Sequence, residues 1–378
     1  MADRAAGVSG AGPDGQADPV SAGLRYGSIT DVAGIEVGHH HRLDPDATVG
    51  SADAPGRGWA CGTTVIVAPP ATVGAVDVRG GAPGSRETEL LGPSNSVRHV
   101  DAVVLSGGSA FGLAAADGEM TWLAERGRGV QMTGGTVPIV PAAVIFDLPV
   151  GAWSSRPDAQ FGYAAAGAAG RDVAVGCVGA GVGARAGVLK GGVGTASAVL
   201  DNGVTVGAIV VVNSAGEVLD PTTGLPWMAE LARHFGLSAP PADQIAAYAA
   251  RHRESSPLNT TIAVVATDAV LTKAGCHRVA VAAQDGLALA IRPAHTPLDG
   301  DTVFVLATGA VEVPPHPETP AAMSPEMALV TAVGAAAAEV LARAVLAGVL
   351  AAEPVAGIPT YRGIFQGLAT AHHLLSNS

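Results

Sequence analysis

The stretch Leu258–Asp268, which reads LNTTIAVVATD, places a hydroxyl side chain at the first position of a buried strand. Proline and charged residues precede Asn259 and Thr260, and an unbroken run of β-branched and small apolar residues follows them. Such runs are typical of strands that are buried on both faces of a sheet. We therefore expect Thr260 to be held rigidly at the start of a core strand, where its hydroxyl serves either a local hydrogen bond or nucleophilic chemistry.

The more specific interpretation is an N-terminal nucleophile. In that chemistry the Thr260 hydroxyl attacks the carbonyl of Asn259, the peptide rearranges to an ester, and hydrolysis frees Thr260 as a new N-terminus. The freed α-amine, with a pKa of about 8, then acts as the base for its own hydroxyl.

A second segment, His295–Asp301 (HTPLDGD), supports this interpretation. It places two carboxylates, Asp299 and Asp301, around a glycine in a loop between strands. Such a pair can orient and polarise the amine and the hydroxyl of the threonine. The alternative is an Asx turn that caps the next strand, which is the commoner role of this pattern.

Strands and helices alternate along the rest of the chain without an internal repeat. This alternation predicts a layered α/β or α+β fold whose strands are buried on both faces. Predicted strands include residues 61–68, 73–78, 102–105, 138–147, 204–213, 261–267, 287–292 and 302–307, and predicted helices include 110–125, 163–174, 269–283 and one that starts at Ser324.

The composition excludes several classes of protein. The chain has 378 residues, a formal charge of −12, only 14% charged residues, 51 glycines and 26 prolines. It is too apolar to be disordered throughout, and its acidity without a Lys/Arg run argues against a nucleic-acid or anionic-membrane partner. Three cysteines without a C-x-x-C pair indicate reduced thiols and a cytoplasmic location.

The ends of the chain carry two further predictions. Residues 1–25 are rich in Gly, Ala, Ser, Asp and Pro, which predicts a flexible tail rather than a signal peptide. Residues 327–352 are mostly Ala, Val and Leu, but Glu339 and Arg343 interrupt them at a spacing that allows pairing on one helix face. A buried helix is predicted there rather than a membrane span.

No metal or organic cofactor is predicted. The run Gly179–Gly183 lacks the spacing of a dinucleotide fingerprint, and Gly191-Gly192 follows Lys190 instead of preceding it as a phosphate loop requires. Three consecutive histidines, residues 39–41, would point to alternate faces of a strand and so would not converge on one ion.

Many separated segments together resemble the L-aminopeptidase D-amidase/D-esterase family, which includes the β-peptidyl aminopeptidases and the nylon-oligomer (6-aminohexanoate oligomer) hydrolases. Asn259–Ile262 followed by VVATDA is similar to the self-cleavage site of that family. Other similar segments are DVAGIEVGH (31–39), GTTV (62–65), VRGGAPG (78–84), LSGGSAFGL (105–113), VPIV (137–140), the Gly179–Gly183 run and DGDTVF (299–304).

The resemblance implies a four-layer αββα sandwich, shared with ornithine acetyltransferase, as a single catalytic domain over residues 26–378. It implies a precursor that is cut into an α chain of residues 1–259 and a β chain of residues 260–378, which stay together. The substrate would be a small molecule or a peptide. The αβ units are expected to form a homo-oligomer, with a tetramer as the family's form.

The resemblance also implies roles for individual residues. Thr260 corresponds to the nucleophile, and Asn213, at the end of a strand, to the asparagine that helps hold the oxyanion. Lys190 corresponds to the active-site lysine of the nylon-oligomer branch, and Asp299 and Asp301 to its carboxylate pair. Glycine-rich matching segments and one aromatic position are expected to line the substrate or oxyanion pocket: Phe146, Gly107, Gly108, Ser109, Gly191 and Gly192. Phe146 departs from the family, which often has tyrosine there.

The predicted function is a self-processing N-terminal-threonine aminopeptidase or amidase that acts on small peptides or amino-acid amides through an acyl-enzyme. One alternative is an endo-type hydrolase of oligoamides with the same machinery. Another is an uncleaved, non-catalytic binding or oligomeric protein on the same fold. An acetyltransferase like the ornithine enzyme fits the Asn259-Thr260 and aspartate matches less well.

Overall fold

The computed structural model describes residues 27–51, 53–251 and 259–366, so the predicted tail over residues 1–25 lies outside the described residues. The strands within these ranges are β1 (Glu36–Leu43), β2 (Ala60–Val67), β3 (Val73–Val78), β4 (Ser85–Arg86), β5 (Ala102–Ser106), β6 (Val130–Met132), β7 (Gly135–Val137), β8 (Ala142–Val144), β9 (Arg185–Ala186), β10 (Leu189–Lys190), β11 (Gly192–Val199), β12 (Thr205–Val212), β13 (Ile262–Ala269) and β14 (Thr302–Val311). The α-helices are α1 (Ala115–Glu125), α2 (Ala159–Gly167), α3 (Ala229–His234), α4 (Ala242–Arg251), α5 (Lys273–Ala290), α6 (Met327–Leu350) and α7 (Tyr361–Ile364).

Two five-stranded sheets form the centre of the molecule. The first sheet has the strand order β1-β2-β5-β8-β4, and the second has the order β11-β12-β13-β14-β3. In the second sheet β13 runs antiparallel to β12 and parallel to β14. The early strand β3 pairs with the outer side of β14, so the sheet joins distant parts of the chain.

The sheets stack face to face between two helical layers. Along β13, Ile262 and Val264 belong to the apolar core between the sheets, whereas Ala263 and Val265 belong to the core under the helices. This alternation follows from the period of two in a strand. Helices α1 and α2 cover the first sheet, and α5 and α6 cover the second. The prediction of a four-layer αββα sandwich is confirmed.

Helix α6 is long and apolar enough to cross a membrane by length and composition, but most of it is buried against the second sheet. Its small residues allow backbone to approach backbone. A Cβ on Gly194 of β11 would overlap the carbonyl oxygen of Ala344, and one on Gly348 would lie 3.0 Å from the Gly194 nitrogen. The predicted buried helix therefore lies in the core.

Several predicted boundaries are wrong. The helix predicted over residues 163–174 spans Ala159–Gly167, and two predicted strands differ more. Residues 287–290 of the strand predicted over residues 287–292 belong to α5, because Ala280, Ala283, Leu287 and Ala290 repeat at helical spacing and are all buried. The predicted strand at residues 138–147 pairs only over β8.

Candidate active site

Thr260 lies two residues before β13, near the end of β12, and is almost fully buried. Its backbone N–H donates to the carbonyl oxygen of Asn213. Its hydroxyl donates to the carbonyl oxygen of Asn259 at 2.5 Å, and the N–H of Gly300 donates to the hydroxyl oxygen at 3.1 Å. The hydroxyl is therefore held against the peptide bond that precedes it.

Asp301 connects the loop before β14 to the residue after the threonine. Its Oδ1 accepts the backbone N–H of Thr261 at 2.8 Å. Its Oδ2 accepts the backbone N–H of His295 at 3.0 Å and lies 2.9 Å from the Nδ1 of the same histidine. Asp301 thus fixes the start of β13 and pairs with an imidazole that the sequence had not marked as a site residue.

Asp299, in the same loop, has hydrogen-bond partners different from those of Asp301. It accepts the N–H of Ala215 at 3.2 Å, and the N–H and the hydroxyl of Thr296 at 3.1 and 2.6 Å. Burial raises the pKa of Asp299, and the charge of Asp301 raises it further. The contacts with Thr296 run back along the chain by three residues, so they are not the Asx turn of the alternative interpretation, in which the carboxylate accepts an N–H two residues further on. The same carboxylate also reaches the segment that follows Asn213.

Three glycines allow the aspartate loop at residues 299–301 to approach Thr260 closely. A Cβ on Gly300 would lie 2.9 Å from the Thr260 hydroxyl oxygen and 2.8 Å from the Ala82 carbonyl oxygen. A Cβ on Gly80 would overlap the backbone of residues 299–301, and one on Gly81 would lie 2.6 Å from the Cα of Pro297. The glycine-rich segment at residues 78–84 therefore cradles the aspartate loop, a role that its sequence did not reveal.

Asn213 follows β12 and is fully buried. Its Oδ1 accepts the backbone N–H of Arg185 at 2.9 Å, and its Nδ2 donates to the Phe146 carbonyl oxygen at 3.3 Å. An amide NH₂ carries two hydrogens, so one is left over from these contacts. The Phe146 ring packs edge-on against Trp153, with 6.2 Å between centroids. Phe146 thus contributes its backbone to the site, without the hydroxyl that tyrosine would supply.

Lys190 is fully buried on β10. Its ammonium donates to the carbonyl oxygens of Gly181, Ala184 and Gly191 at 2.8, 2.7 and 2.9 Å. Burial lowers the pKa of Lys190 to about 8, against the opposing effects of Cys177 and Asp147. The lysine therefore contacts the loop around Asn213 rather than Thr260.

The remaining predicted pocket residues have neighbours other than Thr260. Gly108 and Ser109 follow β5 and donate their N–H groups to the Asp147 carboxylate at 2.6 Å and the Ile145 carbonyl at 3.0 Å. A Cβ on Gly107 would overlap Asp147, and a Cβ on Gly191 would overlap the Val212 carbonyl. Gly192 lies beside Gly176 and Gly348.

The predicted residues therefore form two groups. The residues of the inner group are connected by hydrogen bonds to one another or to the backbone next to one another. The residues of the outer group lie around the loops that contain Phe146 and Arg185, whose backbone contacts Asn213. The inner group consists of Asn259, Thr260, Asn213, Asp299 and Asp301, and the outer group consists of Lys190, Gly107, Gly108, Ser109, Gly191 and Gly192.

Solved structures share this architecture. A β-aminopeptidase of a Burkholderia species superposes with a TM-score of 0.65 at 25% identity, covering 90% of this chain and 92% of that one. The L-aminopeptidase D-Ala-esterase/amidase of Ochrobactrum anthropi, described as a variant of the Ntn-hydrolase fold, gives 0.62 at 20% identity over 87% of each chain. The fold is thus that of the Ntn-hydrolase aminopeptidases.

Relatives that are similar in sequence indicate the type of bond that the protein hydrolyses. An uncharacterized aminopeptidase of Mycobacterium tuberculosis (strain H37Rv) is 68% identical over 344 residues, covering 90% of this chain and 98% of the relative. The 6-aminohexanoate-oligomer endohydrolase of Kocuria sp. is 31% identical, covering 65% of this chain and 70% of the relative. Fold and relatives together define a hydrolase of amide bonds. The chain belongs to Peptidase family S58, whose profile matches residues 27–362.

Proposed function

We propose that this hydrolase is a self-processing N-terminal-threonine aminopeptidase or amidase. It would cut its own peptide bond between Asn259 and Thr260 and then hydrolyse amide bonds of small peptides or amino-acid amides through an ester on Thr260. The observation that carries this proposal is the buried Thr260 hydroxyl, 2.5 Å from the carbonyl oxygen of Asn259.

The surrounding groups fit each step of the reaction. The α-amine released by the cut, with an ordinary pKa of about 8, takes the proton of its own hydroxyl while Oγ1 attacks the substrate carbonyl. The remaining Asn213 amide hydrogen stabilises the oxyanion. The amine then returns the proton to the leaving nitrogen, and water hydrolyses the ester. Asp301 fixes the backbone beside the nucleophile through the Thr261 N–H.

Intact mass and N-terminal sequencing of the purified protein test the proposal. The 37.2 kDa chain should appear as two chains of about 26 and about 12 kDa, in proportion to their lengths. The smaller should begin Thr-Thr-Ile-Ala. Thr260→Ala should leave one uncut chain without amidase activity, because the attacking oxygen is gone.

A matched control is Thr308→Ala on β14, where the hydroxyl is buried and has no hydrogen-bond partner among the described residues. This variant should be cut and active like the wild type. An uncut wild-type chain with full amidase activity, or normal turnover by Thr260→Ala, would contradict the proposal. An uncut and inactive wild type would favour a binding protein on the same fold.

A second candidate function is endo-type hydrolysis of oligoamides. It is favoured by the 31% identity to the 6-aminohexanoate-oligomer endohydrolase of Kocuria sp. and by the buried aspartate pair. Linear 6-aminohexanoate oligomers distinguish the two modes of cutting. First products of free monomer and the oligomer one unit shorter indicate an aminopeptidase, whereas first products of two or more units without free monomer indicate an endohydrolase.

A further inference from the structure

The Asn213 amide contacts the backbone of two loops, each of which also contacts a buried ionisable side chain. We propose that Lys190 and Asp147 are positioning residues, which orient the Asn213 side chain through the backbone of two loops and do not themselves contact the substrate. This inference rests on the proposed function, in which Asn213 stabilises the oxyanion.

The first loop is organised by Lys190. An ammonium group has three hydrogens, and here all three are donated to carbonyl oxygens, those of Gly181, Ala184 and Gly191. No donor is left for a substrate. The same loop includes Arg185, whose backbone N–H donates to the Asn213 Oδ1 at 2.9 Å. Lys190 therefore fixes the position of the N–H that orients one end of the amide.

The second loop is organised by Asp147, a fully buried residue that the sequence did not mark. Its Oδ1 accepts the Gly108 N–H at 2.6 Å, and the preceding residue, Phe146, supplies the carbonyl that accepts the Asn213 Nδ2 hydrogen. A Cβ on Gly183 would lie 2.5 Å from the Asp147 Oδ2. The Asp147 side chain thus also packs against the loop that Lys190 holds.

Both ends of one amide are consequently fixed by separate loops. With Oδ1 and one Nδ2 hydrogen held, the direction of the second hydrogen is set, which is the preorganisation that an oxyanion donor requires. Loss of either charged residue should act on catalysis only through Asn213.

A double-mutant cycle tests this dependence. The variants are Asn213→Ala, Lys190→Met and the double variant, assayed for kcat and KM on an amide that the wild type hydrolyses. Asn213→Ala should lower kcat by about 10²- to 10³-fold, as removal of an oxyanion donor does. Lys190→Met should lower kcat by about tenfold, with KM unchanged, because a misplaced donor weakens only transition-state binding. The double variant should be no slower than Asn213→Ala alone.

A matched control separates this effect from general loss of packing. The Lys273 ammonium also donates to three carbonyl oxygens, those of Leu90, Asn95 and Val97, but it lies on α5 away from the site. Lys273→Met should leave kcat unchanged. If Lys190→Met does not fold, Asp147→Ala, which removes the acceptor of the Gly108 N–H, completes the same cycle from the second loop.

Multiplication of the two single effects in the double variant would overturn the inference, because it would show that Lys190 acts independently of Asn213. A rise in KM with Lys190→Met would also overturn it, since that change indicates direct contact with the substrate. A wild type that hydrolyses no amide would instead contradict the proposed function itself.

Discussion

Gly300 lies so close to the Thr260 hydroxyl that a side chain there would contact it. We predict that Gly300→Ala slows both self-cleavage and turnover by about tenfold or more, because the new Cβ, 2.9 Å from the Thr260 hydroxyl oxygen, displaces the attacking atom. The fraction of cut chain over time after expression, read from denaturing gels, measures the first effect. Gly134→Ala is the control, since a Cβ there meets no atom within 4 Å, and equal rates for both variants would contradict the prediction.

Asp147 is predicted to make stability depend on pH. Burial raises its pKa from 3.8 to about 7, so between these values the folded protein binds a proton that the unfolded chain releases. Its contribution is fully present below pH 3.8 and is lost as the pH rises through about 7, by up to about 4 kcal/mol. Asp147→Asn, which cannot ionise, should remove this loss.

Urea unfolding of the uncut Thr260→Ala chain, with and without Asp147→Asn, measures this effect at pH 5 and pH 8. The asparagine variant should gain stability relative to its parent as the pH rises. If the two chains differ in free energy of unfolding by the same amount at pH 5 and at pH 8, the Asp147 carboxyl does not titrate between these pH values.

At the scale of elements, the contact between α6 and β11 depends on small residues. We predict that Gly194→Ala lowers the free energy of unfolding by about 1–3 kcal/mol, because its Cβ would overlap the carbonyl of Ala344 and push the helix from the sheet. The urea midpoint of the uncut chain measures this change.

Gly167→Ala at the end of α2 is the control for that experiment. There a Cβ would lie 3.9 Å from Trp122 Nε1, and alanine favours the helix by up to about 1 kcal/mol. A Gly194→Ala midpoint equal to that of Gly167→Ala would contradict the close contact.

Local patterns in the sequence predicted some elements better than others. Strand β13 was predictable because its apolar run is short and bounded on both sides by polar residues. The end of α5 was not, because residues 287–291 are an apolar run that fits a strand as well as a helix. The inner site group was found from its motifs, whereas Asp147 was missed because its partners, Gly108 and Gly183, come from distant loops.

At the scale of the molecule, the second sheet contains strands from both of the proposed chains. Strands β13 and β14 of the β chain lie between β12 and β3 of the α chain. We predict that the cut chains co-elute in size-exclusion chromatography and separate only in denaturant, because separation would break two strand pairs in the core. Elution of the smaller chain alone under native conditions would contradict this arrangement.

The same strand order determines when the site can form during synthesis of the chain. Strand β3 is translated early, yet its partner β14 begins only at Thr302, and the aspartate loop at residues 299–301 leaves the ribosome just before it. A nascent chain that ends with α5 already carries Thr260 and Asn213 but not the loop that positions the hydroxyl. Under the proposed function, self-cleavage therefore requires that the last quarter of the polypeptide has been synthesised. Chains that end before the aspartate loop are then neither cut nor active.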